Sequence, residues 1–171
     1  MKEIKFYNVI FPIWFLLFFP PVIFITLFGN FLIDSLVIIA TFFILKMSIH
    51  QMELKSFYKK SIIKVWLFGF AADLIGAAVL FGMTLIGDQL GLPYEIMSAV
   101  NYDPFSNTAA LAVVIAAMLI SGLFIFIFNY CFTFARHIED KRLRFKTALT
   151  IAVITIPWTF LLPTRLLYNG F

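Results

Sequence analysis

Long apolar stretches alternate with short polar or charged connections along nearly the whole sequence. A helix needs about 20 apolar residues to cross the hydrocarbon core of a bilayer, and most of these stretches approach that length. The pattern predicts a single-domain, all-α integral membrane bundle of about five transmembrane helices. The predicted spans cover residues 8–28, 31–46, 62–87, 108–134 and 147–162.

The first two predicted spans form a tight helical hairpin. Gly29 and Asn30 supply the turn signal between them. Pro20 and Pro21 should kink the first span, because two amide donors are missing there. The N-terminal apolar run is too long for the core of a signal peptide, and no small-x-small cleavage site follows it. We therefore expect a retained first span.

Residues 51–60 place apolar side chains at helical spacing with lysines between them, which predicts a short interfacial helix on the cytoplasmic side. This helix leads into the third span. Asn107 is the predicted N-cap of the fourth span. The fifth span is interrupted by Pro157 and ends near Pro163. These prolines also allow an alternative in which the fifth segment re-enters and the C-terminus stays inside.

Basic residues are unevenly distributed among the predicted connections. Twelve of the thirteen lysines and arginines precede the first span, join the second span to the third, or join the fourth to the fifth. The connection between spans three and four contains Asp88, Glu95 and Asp103 and no basic residue. The positive-inside rule then places the N-terminus in the cytoplasm and the C-terminus outside. On this interpretation a four-span chain would place the two basic connections on opposite sides of the membrane. We therefore expect five spans.

The composition agrees with a membrane protein. Hydrophobic residues make up 63% of the chain and charged residues 13%, whereas a soluble domain is about half apolar and about a quarter charged. The net charge of +4 comes from residues at the ends of apolar runs, so it does not indicate nucleic-acid binding. Cys131 is the only cysteine, which excludes an intrachain disulfide. We recognise no catalytic, metal or cofactor motif and expect neither a cofactor nor enzymatic activity.

Asp73 lies at the centre of the third predicted span, in the segment LFGFAADLIGAA. An aspartate there costs about 2.5–3.5 kcal/mol on insertion scales, and the apolar residues of the span offset this cost. Its ionised form would be poorly solvated. Gly69, Ala72 and Gly76 share its helical face, and Ala72 with Gly76 forms a small-xxx-small pair that allows close helix approach. We therefore expect Asp73 to face protein.

Asp34 is a second intramembrane carboxylate, in the second predicted span. Counted from the cytoplasmic lysine of each span, Asp34 and Asp73 differ in depth by only about 4–5 Å at about 1.5 Å per residue. They could therefore share a site, with Asn30 one turn from Asp34 on the same face. Further polar candidates in the predicted spans are Ser121, Asn129 and Thr155.

Three interpretations of the two aspartates remain open. They are structural and hold helices together by hydrogen bonds, or they bind a proton or cation during transport, as intramembrane carboxylates often do. In the third interpretation Asp34 is simply hydrated near the outer surface, because the second span is short. No basic residue is expected at the same depth, so a buried ion pair has no obvious partner.

The cytoplasmic basic residues form a second candidate surface. They could bind anionic lipid headgroups or a soluble protein partner, or they could serve only to set topology. The residues are Lys55, Lys59, Lys60, Arg142, Arg144 and Lys146.

Several segments resemble a known family. They are KFYNVIFPIWFLLFFPPVIF, GNFLIDSLV, KVWLFGFAADLIGA, NYDPFSN, FNY and PWTFLLPTRLLY. Over nearly its whole length the chain is similar to small polytopic membrane proteins of Gram-positive Firmicutes that have no assigned activity. The resemblance implies a location in the bacterial plasma membrane and transfers no site residue.

The first functional hypothesis is a membrane accessory or scaffold component, with the bilayer and a membrane or cytoplasmic protein as partners. The alternative is a small ion- or proton-linked carrier or channel subunit, in which Asp34 and Asp73 line the polar path and prolines break the helices. Five spans are few for a carrier, so a homo-oligomer would be expected. An intramembrane aspartic enzyme has no supporting motif in the sequence.

Overall fold

The computed structural model describes residues 11–16, 18–20, 22–87 and 89–168, and every regular element in these ranges is helical. The α-helices are α1 (Ile13–Leu16), α2 (Val22–Ile44), α3 (Leu54–Ile86), α4 (Tyr94–Tyr102), α5 (Thr108–Phe128), α6 (Lys141–Thr155) and α7 (Arg165–Tyr168). Short 3₁₀ turns cover Met47–His50, Pro104–Ser106 and Trp158–Leu161, and one π-helical turn, Asn129–Thr133, extends α5.

Three helices in the described ranges are long and apolar enough to cross a membrane. They are α2, α3 and the helix formed by α5 with its π-helical turn, Thr108–Thr133. The all-helical class and the presence of membrane-length helices are therefore confirmed. Five spans are not confirmed.

The predicted turn at Gly29 and Asn30 is wrong. Both residues lie inside α2, which runs unbroken from Val22 to Ile44. In an apolar environment a continuous helix satisfies its own backbone groups, whereas an open turn leaves them unpaired. The break falls at Pro20 instead, and α2 begins just beyond the Pro-Pro pair. The first three residues of the predicted span 8–28 lie outside the described ranges.

The segment before α2 begins at the other end of the bundle from the one predicted. The Ile13 amide donates a hydrogen bond of 2.9 Å to Oγ1 of Thr164. The Phe15 ring stacks on Phe81 at 5.4 Å. This end also contains α4 and the turn before α5, and we call it the acidic end (residues 89–107). Residues 11–44 therefore cross the bundle once, from the acidic end to Met47, instead of forming a hairpin.

The predicted interfacial helix at 51–60 is not a separate element. Gln51 and the two residues after it precede α3, and residues 54–60 are its first two turns. A helix of 33 residues is about 50 Å long, well beyond a hydrocarbon core of about 30 Å. Its lysine-rich first turns therefore extend past the apolar part of the bundle.

Both basic connections emerge at one end, which we call the basic end (residues 45–60 and 133–146). The Phe57 ring of α3 stacks on Phe134 at 5.9 Å. Lys60 and His137 line the same surface pocket. A four-span chain would not separate the two basic connections, contrary to the prediction, because α3 and α5 are joined at the acidic end. The connection before α3 and the connection after α5 must then lie at the same end of the bundle. This holds for any number of spans before Met47. Lys2, Lys5 and Asp88 lie outside the described residues.

The ends of α5 and α6 follow the predicted signals. Oδ1 of Asn107 accepts hydrogen bonds from the amides of Ala109 and Ala110 at 2.9 and 3.2 Å, which confirms the N-cap. Helix α6 ends at Thr155, two residues before Pro157. The chain then continues to Arg165, whose Nε lies 3.1 Å from Oδ2 of Asp103. The fifth segment thus reaches the acidic end as a broken helix.

Two apolar clusters form the core, with a polar layer between them. Along α3, Ala72 belongs to the cluster nearer the basic end and Ala77 to the cluster nearer the acidic end. Along α5, Ile125 and Met118 are divided in the same way. Ser121 lies between them and is fully buried.

Candidate functional site

The polar layer opens into a cavity of about 150 Å³ between α2, α3 and the end of α6. Such a volume holds several water molecules. Asp34 and Asp73 both line it, so the structure brings the two predicted carboxylates into one site. The polar side chains around them are Thr26, Asn30, Thr155 and Thr159.

Asp34 is the more deeply buried of the two carboxylates. It is only 5% exposed, and no described residue donates a hydrogen bond to it. This low exposure favours a position inside the bundle over one on its outer surface, although the cavity itself has room for water. A Cβ atom on Gly69 would lie 3.7 Å from Oδ2 of Asp34, so this carboxylate packs against the bare backbone of α3. An isolated charge in such a place is costly without a positive partner.

Asp73 has one strong partner. The Oγ atom of Ser121 on α5 donates a hydrogen bond of 2.9 Å to its Oδ1 atom. Helix α5 approaches this closely because Gly76 has no side chain. A Cβ atom there would lie 3.1 Å from the Ser121 Cβ atom and 3.2 Å from the Ala117 carbonyl oxygen. The expected close approach at Ala72 and Gly76, with Asp73 facing protein, is confirmed.

Of the two asparagines in the prediction, only Asn30 lines the cavity. Asn129 is fully buried in the π-helical turn, nearer the basic end. Its Nδ2 atom donates to the Ile125 carbonyl at 2.9 Å, one helical turn earlier. Asn129 therefore belongs to the α5 backbone network and not to the carboxylate site.

The broken end of α6 forms part of the wall of the same cavity, which residues 154–160 line. Thr155 was among the polar candidates, whereas Thr159 was missed. Pro157 was the sequence feature that could have indicated Thr159. A proline ends the helix, and here the residues that follow it line the cavity. From the sequence, Pro157 was interpreted as the interruption or re-entry point of the fifth span and, in the carrier hypothesis, as a break in a helix.

The predicted basic residues lie at the basic end in two separate places. Lys55, Lys59 and Lys60 are exposed on the first turns of α3. On α6, Arg144 packs on Tyr130, with its guanidinium carbon 4.5 Å from the ring centre and Nη2 3.3 Å from the hydroxyl oxygen. Lys141, Arg142 and Lys146 line a surface pocket of about 320 Å³ beside Tyr130 and Phe145.

His137 lies beside the α3 group and lines a surface pocket with Lys60. Its partial burial lowers its pKa from the ordinary value, and the positive charges of Lys64 and Lys60 lower it further. The neutral imidazole is therefore favoured in the folded protein.

The carboxylate cavity has the chemistry of a proton or cation site. Its polar side-chain groups are carboxylate and hydroxyl oxygens, one amide and the indole N–H of Trp158, and no Lys, Arg or His is among the described residues that line it. Within the same ranges no group of three or more His, Cys, Asp or Glu residues is arranged to hold a metal ion. In comparisons with known proteins, the chain matches no family model, no curated protein and no solved structure.

Proposed function

We propose that this protein is a small proton- or cation-linked carrier or channel subunit of the bacterial plasma membrane. The observation that carries the proposal is the cavity shared by Asp34 and Asp73. Asp34 lies ten residues from the end of α2 and Asp73 thirteen from the end of α3. At about 1.5 Å per residue, both are about 15–20 Å from the nearer helix end. Two carboxylates at that depth are typical of ion pathways.

The charge distribution supports an orientation with the basic end in the cytoplasm. The segment 11–44, α3, α5 and the broken fifth segment would then each cross the membrane, with Phe11 and Arg165 on the outer side. A membrane-impermeant thiol reagent tests this in a Cys131→Ser background. We expect Lys59→Cys and Lys146→Cys to react only in inside-out vesicles, and Tyr94→Cys only in right-side-out vesicles. Labelling of Lys59→Cys and Tyr94→Cys from the same side would contradict the orientation.

The two aspartates would act as an unequal pair. Asp73 is held by the Ser121 hydroxyl, whereas Asp34 has no donor among the described residues. Asp34 is therefore the group that needs an external positive charge. Binding and release of a proton or cation there would link the cavity to transport. The broken fifth segment supplies a discontinuous helix of the kind that forms such sites.

Flux measurements in proteoliposomes test this function. We expect ion or proton movement, followed with internal dyes under an imposed gradient, with the wild type and not with protein-free vesicles. Asp34→Asn and Asp73→Asn should abolish it. Glu95→Gln is the matched control, because this exposed carboxylate lies in α4, outside the cavity. Wild-type flux no greater than that of empty vesicles would overturn the proposal.

A second candidate is an accessory component that docks on anionic lipid through the basic end. The supporting observation is the pocket lined by Lys141, Arg142 and Lys146. Cationic side chains next to aromatic ones favour anionic headgroups at a membrane surface. We expect retention of phosphatidylglycerol by the purified protein to fall in Arg142→Gln with Lys146→Gln and to persist in Lys55→Gln. Equal retention in all variants would exclude this pocket as the lipid site.

A further inference from the structure

We infer that the cavity binds an alkali-metal cation between the carboxylates of Asp34 and Asp73 and the backbone carbonyl groups freed at the end of α6. This inference deepens the proposed function and rests on the same site. Asp34 provides its first support, because it is 5% exposed and has no hydrogen-bond donor among the described residues. A buried carboxylate without a donor is stable in its charged form only with a positive partner, and the cavity that Asp34 lines has room for one.

The second support is the local chemistry of the α6 end. Pro157 has no N–H group and ends the hydrogen-bonding pattern of α6, so carbonyl groups in its last turn lack the donors that a continuing helix would provide. The Trp158 amide donates to the Ile156 carbonyl at 2.7 Å, so it does not serve the carbonyl of Ile154. A helix C-terminus also carries partial negative charge. This end of α6 lies in the cavity wall, beside the two carboxylates.

The available ligands select the class of cation. Carboxylate, amide, hydroxyl and carbonyl oxygens suit hard cations, and neither sulfur nor imidazole occurs among the described residues that line the cavity. Asp73 already accepts the Ser121 hydroxyl, so the carboxylate left without a partner is that of Asp34. When Asp73 holds a proton, a single positive charge balances the carboxylate of Asp34. Calcium usually takes six to eight oxygen ligands, commonly with several carboxylates, and is the less suitable ion.

Direct binding to the purified full-length protein in detergent tests the inference. We would measure radiolabelled sodium binding, and thermal unfolding in sodium, potassium, calcium and choline chloride at matched ionic strength. Sodium or potassium should raise the unfolding temperature more than choline does. Asp34→Asn should weaken binding by about tenfold or more, since a buried charge loses its partner. Glu95→Gln should bind like the wild type.

Two proline variants separate the contribution of α6 from that of the carboxylates. Pro157→Ala allows α6 to continue and to supply amide donors to the carbonyl groups of its last turn, so it should weaken cation binding. Pro163→Ala changes a proline that does not line the cavity and should leave binding unchanged. If Pro157→Ala unfolds, Thr155→Val provides a second test, because it removes a hydroxyl oxygen from the same wall. If Pro157→Ala and Thr155→Val both bind the cation like the wild type, the end of α6 contributes no ligand to the site.

The outcomes distinguish this inference from the proposed function. Alkali binding that depends on Asp34, without flux, would support the site and overturn the carrier function. Proton flux without alkali-cation binding would overturn the inferred cation site and support the proposed carrier or channel function. An equal response to choline, a response to calcium alone, or unchanged sodium binding in Asp34→Asn would each overturn the inference.

Discussion

The Oγ atom of Ser121 donates a hydrogen bond of 2.9 Å to Oδ1 of Asp73 and joins α5 to α3 in the polar layer between the two apolar clusters. This contact gives one of the two cavity carboxylates a fixed partner. Its neighbour Asp34 has none among the residues that the structure describes. The two carboxylates therefore differ in hydrogen bonding, and Asp34 is the one that is free to bind a proton or cation.

Ser121→Ala should lower the free energy of unfolding by about 0.6–1.7 kcal/mol, the range measured for hydrogen bonds between membrane helices. Unfolding in mixed detergent measures the loss. Combination with Asp73→Ala should cost less than the sum of the two single changes, because both remove the same contact. Strictly additive losses would show that the hydrogen bond is not formed. Ser98→Ala, at an exposed serine of α4, is the control.

Gly76→Ala should destabilise the bundle by about 1–3 kcal/mol, as overpacking commonly does. The new Cβ atom would lie 3.0 Å from Cε2 of Phe160 and 3.2 Å from the Ala117 carbonyl. Gly82→Ala in the same helix meets nothing within 4 Å, so it should be neutral or stabilising by up to about 1 kcal/mol. Similar unfolding temperatures for the two variants would contradict the close packing of α3 and α5.

Gly29→Ala tests the continuity of α2. A Cβ atom at Gly29 meets nothing within 4 Å, and Gly29 lies within the helix. The substitution should therefore be tolerated or be slightly stabilising, since alanine favours helix more than glycine does. A marked fall in unfolding temperature or expression would instead favour the tight turn predicted from the sequence. Gly91→Ala is the contrasting variant, because Gly91 has a φ of +70° and should resist a side chain.

Asp103→Ala should cost more stability than Arg165→Ala. Oδ2 of Asp103 pairs with Nε of Arg165 at 3.1 Å, and Oδ1 accepts the Phe105 amide at 3.1 Å. Arg165 is half exposed, so loss of the ion pair alone should cost about 1 kcal/mol or less. Loss of the cap adds about 1 kcal/mol. Equal unfolding temperatures for the two variants would show that the cap contributes nothing.

The lowered pKa of His137 predicts a loss of stability in acid. An unfolded histidine titrates near its ordinary pKa of about 6.5. As the pH falls through that value, the unfolded chain takes up the proton first, so the free energy of unfolding decreases until the folded form is also protonated. His137→Gln should reduce this decline between neutral pH and pH 5, and the exposed His50→Gln is the matched substitution. An unchanged pH profile in His137→Gln would contradict the prediction.

Local sequence signals were sufficient for several features. The length of the apolar runs determined that the fold is helical with membrane-length helices, because backbone groups in an apolar environment must pair within the helix. Asn107 identified the start of α5, because a cap depends only on the next three residues. The spacing of Ala72, Asp73 and Gly76 showed which face of α3 meets protein.

Tertiary packing decided the rest. Gly29 is compatible with either a turn or a helix, and the packing of α2 in the bundle determines that it is helical. Residues 11–19 could begin at either end of the bundle, and contacts with Phe81 and Thr164 place them at the acidic end. Pro157 shows from sequence that carbonyl groups are freed, but where they lie depends on the packing of α6 beside α2 and α3. The sequence by itself thus determined the helices and their polar residues, whereas the cavity exists only because segments far apart in the chain pack around Asp34 and Asp73.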